Sequence, residues 1–212
     1  MHLYISRSGM LVSGILALAM LVSGTMAGDE IENMLINADF ENGTTGWSFG
    51  GVANIDFDEE PVGGFGQVAY FNALVVGPEA WNPEIHSPPF NLENGKQYTY
   101  SFWAKAGEEG AGRTLSPTFE QLDTWVGVGS QNITVGEDWQ EYHATGVWTH
   151  ASTPAVVIHI GWNLQEGGVW FSHFRVYEGE WIEEEIEIGG QQKISVTPMG
   201  RLATAWGQIK SR

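Results

Sequence analysis

Residues 97–105, Gln97-Tyr98-Thr99-Tyr100-Ser101-Phe102-Trp103-Ala104-Lys105, alternate between two faces with period two. Tyr98, Tyr100, Phe102 and Ala104 share one face, and Trp103 and Lys105 take the other. A segment patterned this way buries one side only as a strand. Residues 155–162 repeat the device: Val156, Ile158, Ile160 and Trp162 lie opposite Val157, His159 and Gly161. Residues 67–76, 139–148 and 169–177 read as three further strands. The turn signals Glu93-Asn94-Gly95-Lys96, Val135-Gly136-Glu137-Asp138 and Glu166-Gly167-Gly168 punctuate them. No segment between them carries a convincing 3.6-residue period. Many short strands joined by turns predict an all-β antiparallel sandwich or barrel, with the domain running over 33–178.

The ends of the chain read differently. Residues 1–27 have the pattern of a secretory signal peptide. His2 and Arg7 lead an apolar run of 13 residues from Met10 to Val22, and Thr25-Met26-Ala27 supplies small residues for cleavage. That run is short for a bilayer span. The expected location is therefore secreted, extracellular or periplasmic. Residues 179–212 read as an acidic linker (Glu180 to Glu187) followed by a flexible, basic tail, a candidate docking peptide. The chain carries 26 acidic and 9 basic residues, for a net charge of −17. Such a balance disfavours nucleic acid and anionic membranes as partners. With no cysteine, neither a disulfide nor a lipobox anchor is available.

The chain also holds ten tryptophans. An indole carries an apolar face and an N–H that needs a partner when buried, so a core of this size does not call for ten. Rings left on the surface match a pyranose, which has C–H groups on its faces and hydroxyls around its rim. A neutral polysaccharide or oligosaccharide is the partner this composition points to.

Four motifs in order sharpen that reading. They are Asn37-Ala38-Asp39-Phe40-Glu41-Asn42-Gly43 with Gly46-Trp47, then Leu92 to Ala106, then Asp138-Trp139-Gln140-Glu141-Tyr142, and finally Gly168 to Tyr177. Together they resemble the CenC-type carbohydrate-binding modules of families 4, 9, 16 and 22. The resemblance implies a jelly-roll β-sandwich of two antiparallel sheets with a sugar groove on one sheet face. Relatives of this kind commonly ride on glycoside hydrolases. It also implies a structural calcium that uses a first-strand Glu and a last-strand Asp. Glu41 matches the first, but Ser172 stands where the Asp is expected, which weakens a site built on hard oxygen ligands. No cofactor is required.

Outward-facing side chains form such a groove. Trp103 points away from the Tyr98/Tyr100/Phe102 face. Trp81 opens Trp81-Asn82-Pro83-Glu84-Ile85-His86, where Glu84 and His86 share a face and can bond sugar hydroxyls. Trp125 sits in a glycine-rich loop, and His159 projects opposite Ile158 and Ile160. These six residues are the carbohydrate-binding candidates, with Trp47, Trp139, Trp148, Trp162 and Trp170 assigned to the core or its edges. Glycoside hydrolysis needs two carboxylates across one cleft. The strand acids Glu84, Glu120 and Glu141 are not paired by parity, so the expected role is binding without catalysis. A structural or adhesive surface module, or an accessory part of a glycoside hydrolase system, is the alternative.

Overall fold

The computed structural model describes residues 31–57, 66–73, 76–107, 112–150 and 155–184. The expected signal peptide and the tail beyond Glu184 lie outside the described residues. Among the described residues eleven strands form: β1 (Ser48–Gly50), β2 (Val52–Asp56), β3 (Ala69–Ala73), β4 (Glu84–His86), β5 (Gln97–Ala106), β6 (Arg113–Gln121), β7 (Gly127–Val128), β8 (Ile133–Val135), β9 (Gln140–Val147), β10 (Val156–Gly161) and β11 (Gly167–Glu178). They build the expected jelly-roll sandwich. One sheet runs β1-β4-β10-β6-β7, with β8 also paired to β6, and the other runs β2-β3-β11-β5-β9. Every strand pairing is antiparallel.

The period-two pattern decides what each sheet buries. Tyr98, Tyr100, Phe102 and Ala104 of β5 enter the core with Val156, Ile158 and Ile160 of β10. The rings mesh across the sandwich. Tyr100 meets Phe119 at 4.9 Å edge to face, and Trp162 meets Phe171 at 5.9 Å. The Tyr100 hydroxyl crosses to the opposite sheet and donates to the carbonyls of Pro117 and Gly129, so a buried polar group is satisfied. Burial pushes its pKa far up.

The bounds of strand β6 were not legible, because Pro117 interrupts its pattern. The structure shows why a proline is tolerated there. Residues 113–115 pair with β8 and residues 119–120 with β7. Pro117 sits where that edge changes partner, and its carbonyl accepts from the Gln131 amide. The missing N–H therefore costs no ladder bond.

Two expectations need correction. Trp170 does not share the core face with Phe174 and Val176. A register shift between Ser172 and Arg175, with His173 at φ 48°, inserts an extra residue. Val169 and Phe171 before the bulge, and Phe174 and Val176 after it, all face inward. Trp170 turns outward, is half-buried, and packs on Tyr70 at 4.6 Å. A one-residue bulge flips parity for everything beyond it.

The second correction concerns the boundary at residue 178. Residues 179–184 are not a solvated linker but pack on the second sheet. The Gly179 amide donates to the Gln97 carbonyl, and Thr99 Oγ1 donates to the Gly179 carbonyl. Trp181 stacks on His143 at 3.9 Å with the rings 6° apart. The Ile182 amide donates to the Tyr177 hydroxyl. This strap covers Thr99 and Ser101, which alternation alone would expose.

The two faces of β5 should therefore differ in stability cost. Phe102, fully buried among Tyr142, Phe171 and Phe174, should cost about 3–5 kcal/mol when cut to Ala. Trp103→Ala should cost distinctly less, since its ring lies outside the core cluster. Urea unfolding of both variants checks the order.

Candidate functional site

The outer face of the first sheet is built by three neighbouring strands. Ile85 of β4, Ile158 and Ile160 of β10, and Leu115 and Phe119 of β6 take the core side. Alternation then turns Glu84, His86, His159, Gly161, Ser116, Thr118 and Glu120 outward. Register aligns them. His159 stands opposite His86 on one side and Thr118 on the other, and Gly161 stands opposite Glu84 and Ser116.

At the centre, four side chains converge. His159 Nδ1 lies 3.0 Å from Glu120 Oε2, in hydrogen-bond geometry. His159 Nε2 lies 3.2 Å from Glu84 Oε2. His86 Nε2 is 3.8 Å from Glu84 Oε2 and 3.9 Å from Glu120 Oε1. The two imidazoles meet edge to face at 4.8 Å. Burial pushes the His86 pKa down, reinforced by neighbouring His159 and opposed by Glu84 and Glu120.

Gly161 brings Trp81 to this cluster. A Cβ at Gly161 would stand 2.6 Å from the Trp81 carbonyl oxygen and 2.9 Å from its Cα. Only glycine lets the Trp81 backbone lie directly over β10. The Trp162 amide, which donates to the Pro83 carbonyl, fixes the same crossing. The Trp81 side chain is 48% exposed. Trp125 stands at the other end of β10, in the turn after β6, where the Leu122 amide donates to the Ala155 carbonyl. It is 65% exposed, at φ 57°. From Ala155 to Gly161 a strand spans roughly 20 Å.

Five of the six expected residues thus belong to one sheet: Trp81, Glu84, His86, His159 and, at the sheet's end, Trp125. Trp103 does not join them. It lies on the outer face of the second sheet, opposite Ser172 and Glu141. Lys105, the next outward residue of β5, has its ammonium 5.2 Å from the Trp139 ring and 5.8 Å from that of Trp170. Sequence parity identified Trp103 as outward but not which sheet β5 would enter. Glu120 was read as a strand acid but not as a site residue, because the pairing of β6 with β10 was not legible. The expectation that parity pairs no carboxylates also fails, since Glu84 and Glu120 flank the same imidazole.

The calcium pair implied by the resemblance does not fit this chain. Glu41 lies exposed in the turn after Phe40. Ser172 is fully buried, and its hydroxyl has no hydrogen-bond partner. Asp39, not Glu41, reaches β11, and it meets His173. Asp39 Oδ1 lies 2.8 Å from His173 Nδ1, and Glu184 Oε1 lies 2.7 Å from Nε2. Burial works against charge on this ring, but the hydrogen bonds to Asp39 and Glu184 outweigh it and raise the pKa to about 9. An imidazolium thus already holds the carboxylates at this corner, whereas calcium takes about six to eight oxygen ligands.

Comparison with known proteins places this geometry. The carbohydrate binding domain family of types 4 and 9 matches residues 32–164, and the chain belongs to that family. Among solved structures, the second N-terminal cellulose-binding domain of Cellulomonas fimi β-1,4-glucanase C superposes with a TM-score of 0.53 at 11% identity, covering 72% of this chain and 98% of that one. An arabinose-bound family 51 α-L-arabinofuranosidase also gives 0.53, at 12% identity, over 72% of this chain but 27% of the enzyme. A structure described as that of a family 4 carbohydrate-binding module gives 0.49 at 21% identity, over 63% of this chain and 86% of that one. Similarity at these identities speaks to the fold. No curated protein sequence matches significantly. Among the described residues, no helix is long and apolar enough to cross a membrane.

His173 makes stability pH-dependent. Its folded pKa, about 9, exceeds the ordinary value of about 6.5. The folded state therefore holds this proton more tightly than the unfolded chain. The contribution is complete below about pH 6.5 and is lost as pH rises through 9. Urea midpoints should fall between pH 6.5 and 9, and His173→Gln should flatten that slope.

Proposed function

We propose that this chain is a secreted, non-catalytic carbohydrate-binding domain that holds a polysaccharide chain across the outer face of its first sheet. Secretion rests on the signal-peptide pattern of residues 1–27. Recognition rests on one observation above all: a line of polar side chains bounded by exposed Trp81 and Trp125, in a chain of a carbohydrate-binding family. Trp81 offers an apolar plate for a pyranose face. Glu84, His86, His159 and Glu120 offer acceptors and donors for hydroxyls. The cellulose-binding neighbour from Cellulomonas fimi and the arabinose-bound enzyme are consistent with this ligand class.

Absence of catalysis is supported by how the two acids are held. Glu120 is hydrogen-bonded to His159, and Glu84 lies 3.2 Å from the same ring. A hydrolytic pair needs one free acid and one free carboxylate on either side of a glycosidic oxygen. Here an imidazole lies between them.

Stacking with few charges gives weak binding, with Kd on the order of 10 µM to 1 mM, about −7 to −4 kcal/mol. Tryptophan fluorescence titration with soluble glucans and xylans tests the reading. Trp81→Ala should weaken binding at least about tenfold, a loss of roughly 1.4 kcal/mol, with the unfolding midpoint nearly unchanged. Trp103→Ala should leave affinity unchanged. If no polysaccharide perturbs the wild-type emission, the structural or adhesive alternative replaces this one.

A further inference from the structure

We propose that Glu84, His86 and His159 form a binding site for a divalent first-row transition-metal ion of the zinc class. The three side chains each offer one ligand atom, and these atoms all lie within 4.8 Å of one another. A tetrahedral zinc ion, with bonds of about 2.0–2.1 Å to nitrogen and oxygen, holds its ligands about 3.3 Å apart. The Glu84–His159 and Glu84–His86 separations of 3.2 and 3.8 Å are close to that spacing.

A second observation points to a ligand. The His159 side chain is 9% exposed, and both Nε2 atoms are buried with no hydrogen-bond partner. Their proximity to Glu84 Oε2 is therefore not explained by hydrogen bonding between them. Glu120 resolves which His159 nitrogen is the donor. Its carboxylate accepts from Nδ1, which leaves Nε2 as the nitrogen directed at Glu84. A carboxylate that fixes the far nitrogen of an imidazole is also the usual outer support of a metal-bound histidine.

The donor set selects the ion. Two imidazole nitrogens and one carboxylate suit zinc and its first-row neighbours, whereas magnesium and calcium prefer all-oxygen shells. Three protein ligands leave a coordination position open. The strands fix this spacing, since His86 and His159 are direct cross-strand partners on β4 and β10. The proposal stands on this donor set and not on sugar recognition.

Calorimetric titration of the full chain, stripped with chelator and kept free of sugar, tests it with zinc chloride as the probe. Wild type should bind one zinc at this site with Kd in the micromolar range or tighter. His86→Ala and His159→Ala should each weaken that binding at least about a hundredfold, and Glu120→Gln about 10–100-fold. Calcium and magnesium chloride should not compete. Cobalt(II) gives a second readout: visible absorption of a tetrahedral site in wild type, lost in His86→Gln, which keeps the side-chain volume and guards against a folding defect in the alanine variants. No zinc binding by wild type would overturn the proposal, as would binding that survives both histidine substitutions. Sugar binding without zinc binding would sink this proposal alone, and zinc binding without sugar binding would sink only the carbohydrate reading.

Discussion

Two sheets can close on one another here because each gives every second side chain to a shared aromatic layer. Phe102, Phe119, Phe171, Phe174 and Tyr100 fill it with centroid separations between 4.9 and 6.4 Å. Large rings bury much area at small entropic cost, and offset or edge-to-face contacts add to it. The layer leaves no room for a carboxylate or an imidazole. Glu84, His86, Glu120 and His159 are forced to the outside, on three strands whose register is set by the same core. The polar face is thus a consequence of the apolar one.

The second sheet manages its outer face in another way. The bulge at His173 and Phe174 releases β11 from β5 for two residues. The N-terminal segment fills the gap: Asn33 bonds the Phe174 carbonyl and the Val176 amide, and the Met34 amide donates to the Val176 carbonyl. Residues 179–184 close over the other side. Arg175, 5% exposed, reaches Glu141 and the Ile182 carbonyl, and His173 ties Asp39 to Glu184. Two chain segments far apart in sequence are joined through one imidazolium. Half of the second sheet's outer face is occupied in this way, whereas Trp81 crosses the first sheet's face at one end.

The architecture was legible in the sequence because period-two alternation is a direct image of burial. Residues 97–105 and 155–162 turned their faces as read. Glu84, His86 and His159 were identified by the same parity. What alternation could not convey was anything that breaks it or lies beyond one strand. Trp170 was misassigned because a bulge shifts the count. Glu120 was placed on a strand but not at the site, because its neighbour β10 lies beyond one strand's pattern. Trp103 was grouped with Trp81 because parity says which way a side chain points and not which sheet it leaves. The strap at 179–184 reads as acidic and solvated, yet its Glu184 is paired with His173 and Arg175 of β11. The convergence of two histidines with Glu84 needed the pairing of β4 with β10, a contact spanning more than seventy residues of chain.

On the proposed reading, the polysaccharide meets the face formed by β4, β10 and β6. Backbone amide NMR of the folded chain, titrated with cellohexaose and with xylohexaose, tests it directly. The account predicts shifts clustered at Trp81, Glu84, His86, Glu120 and His159, with the second sheet silent. Shifts clustered instead at Tyr70, Trp103, Lys105 and Trp170 would contradict it.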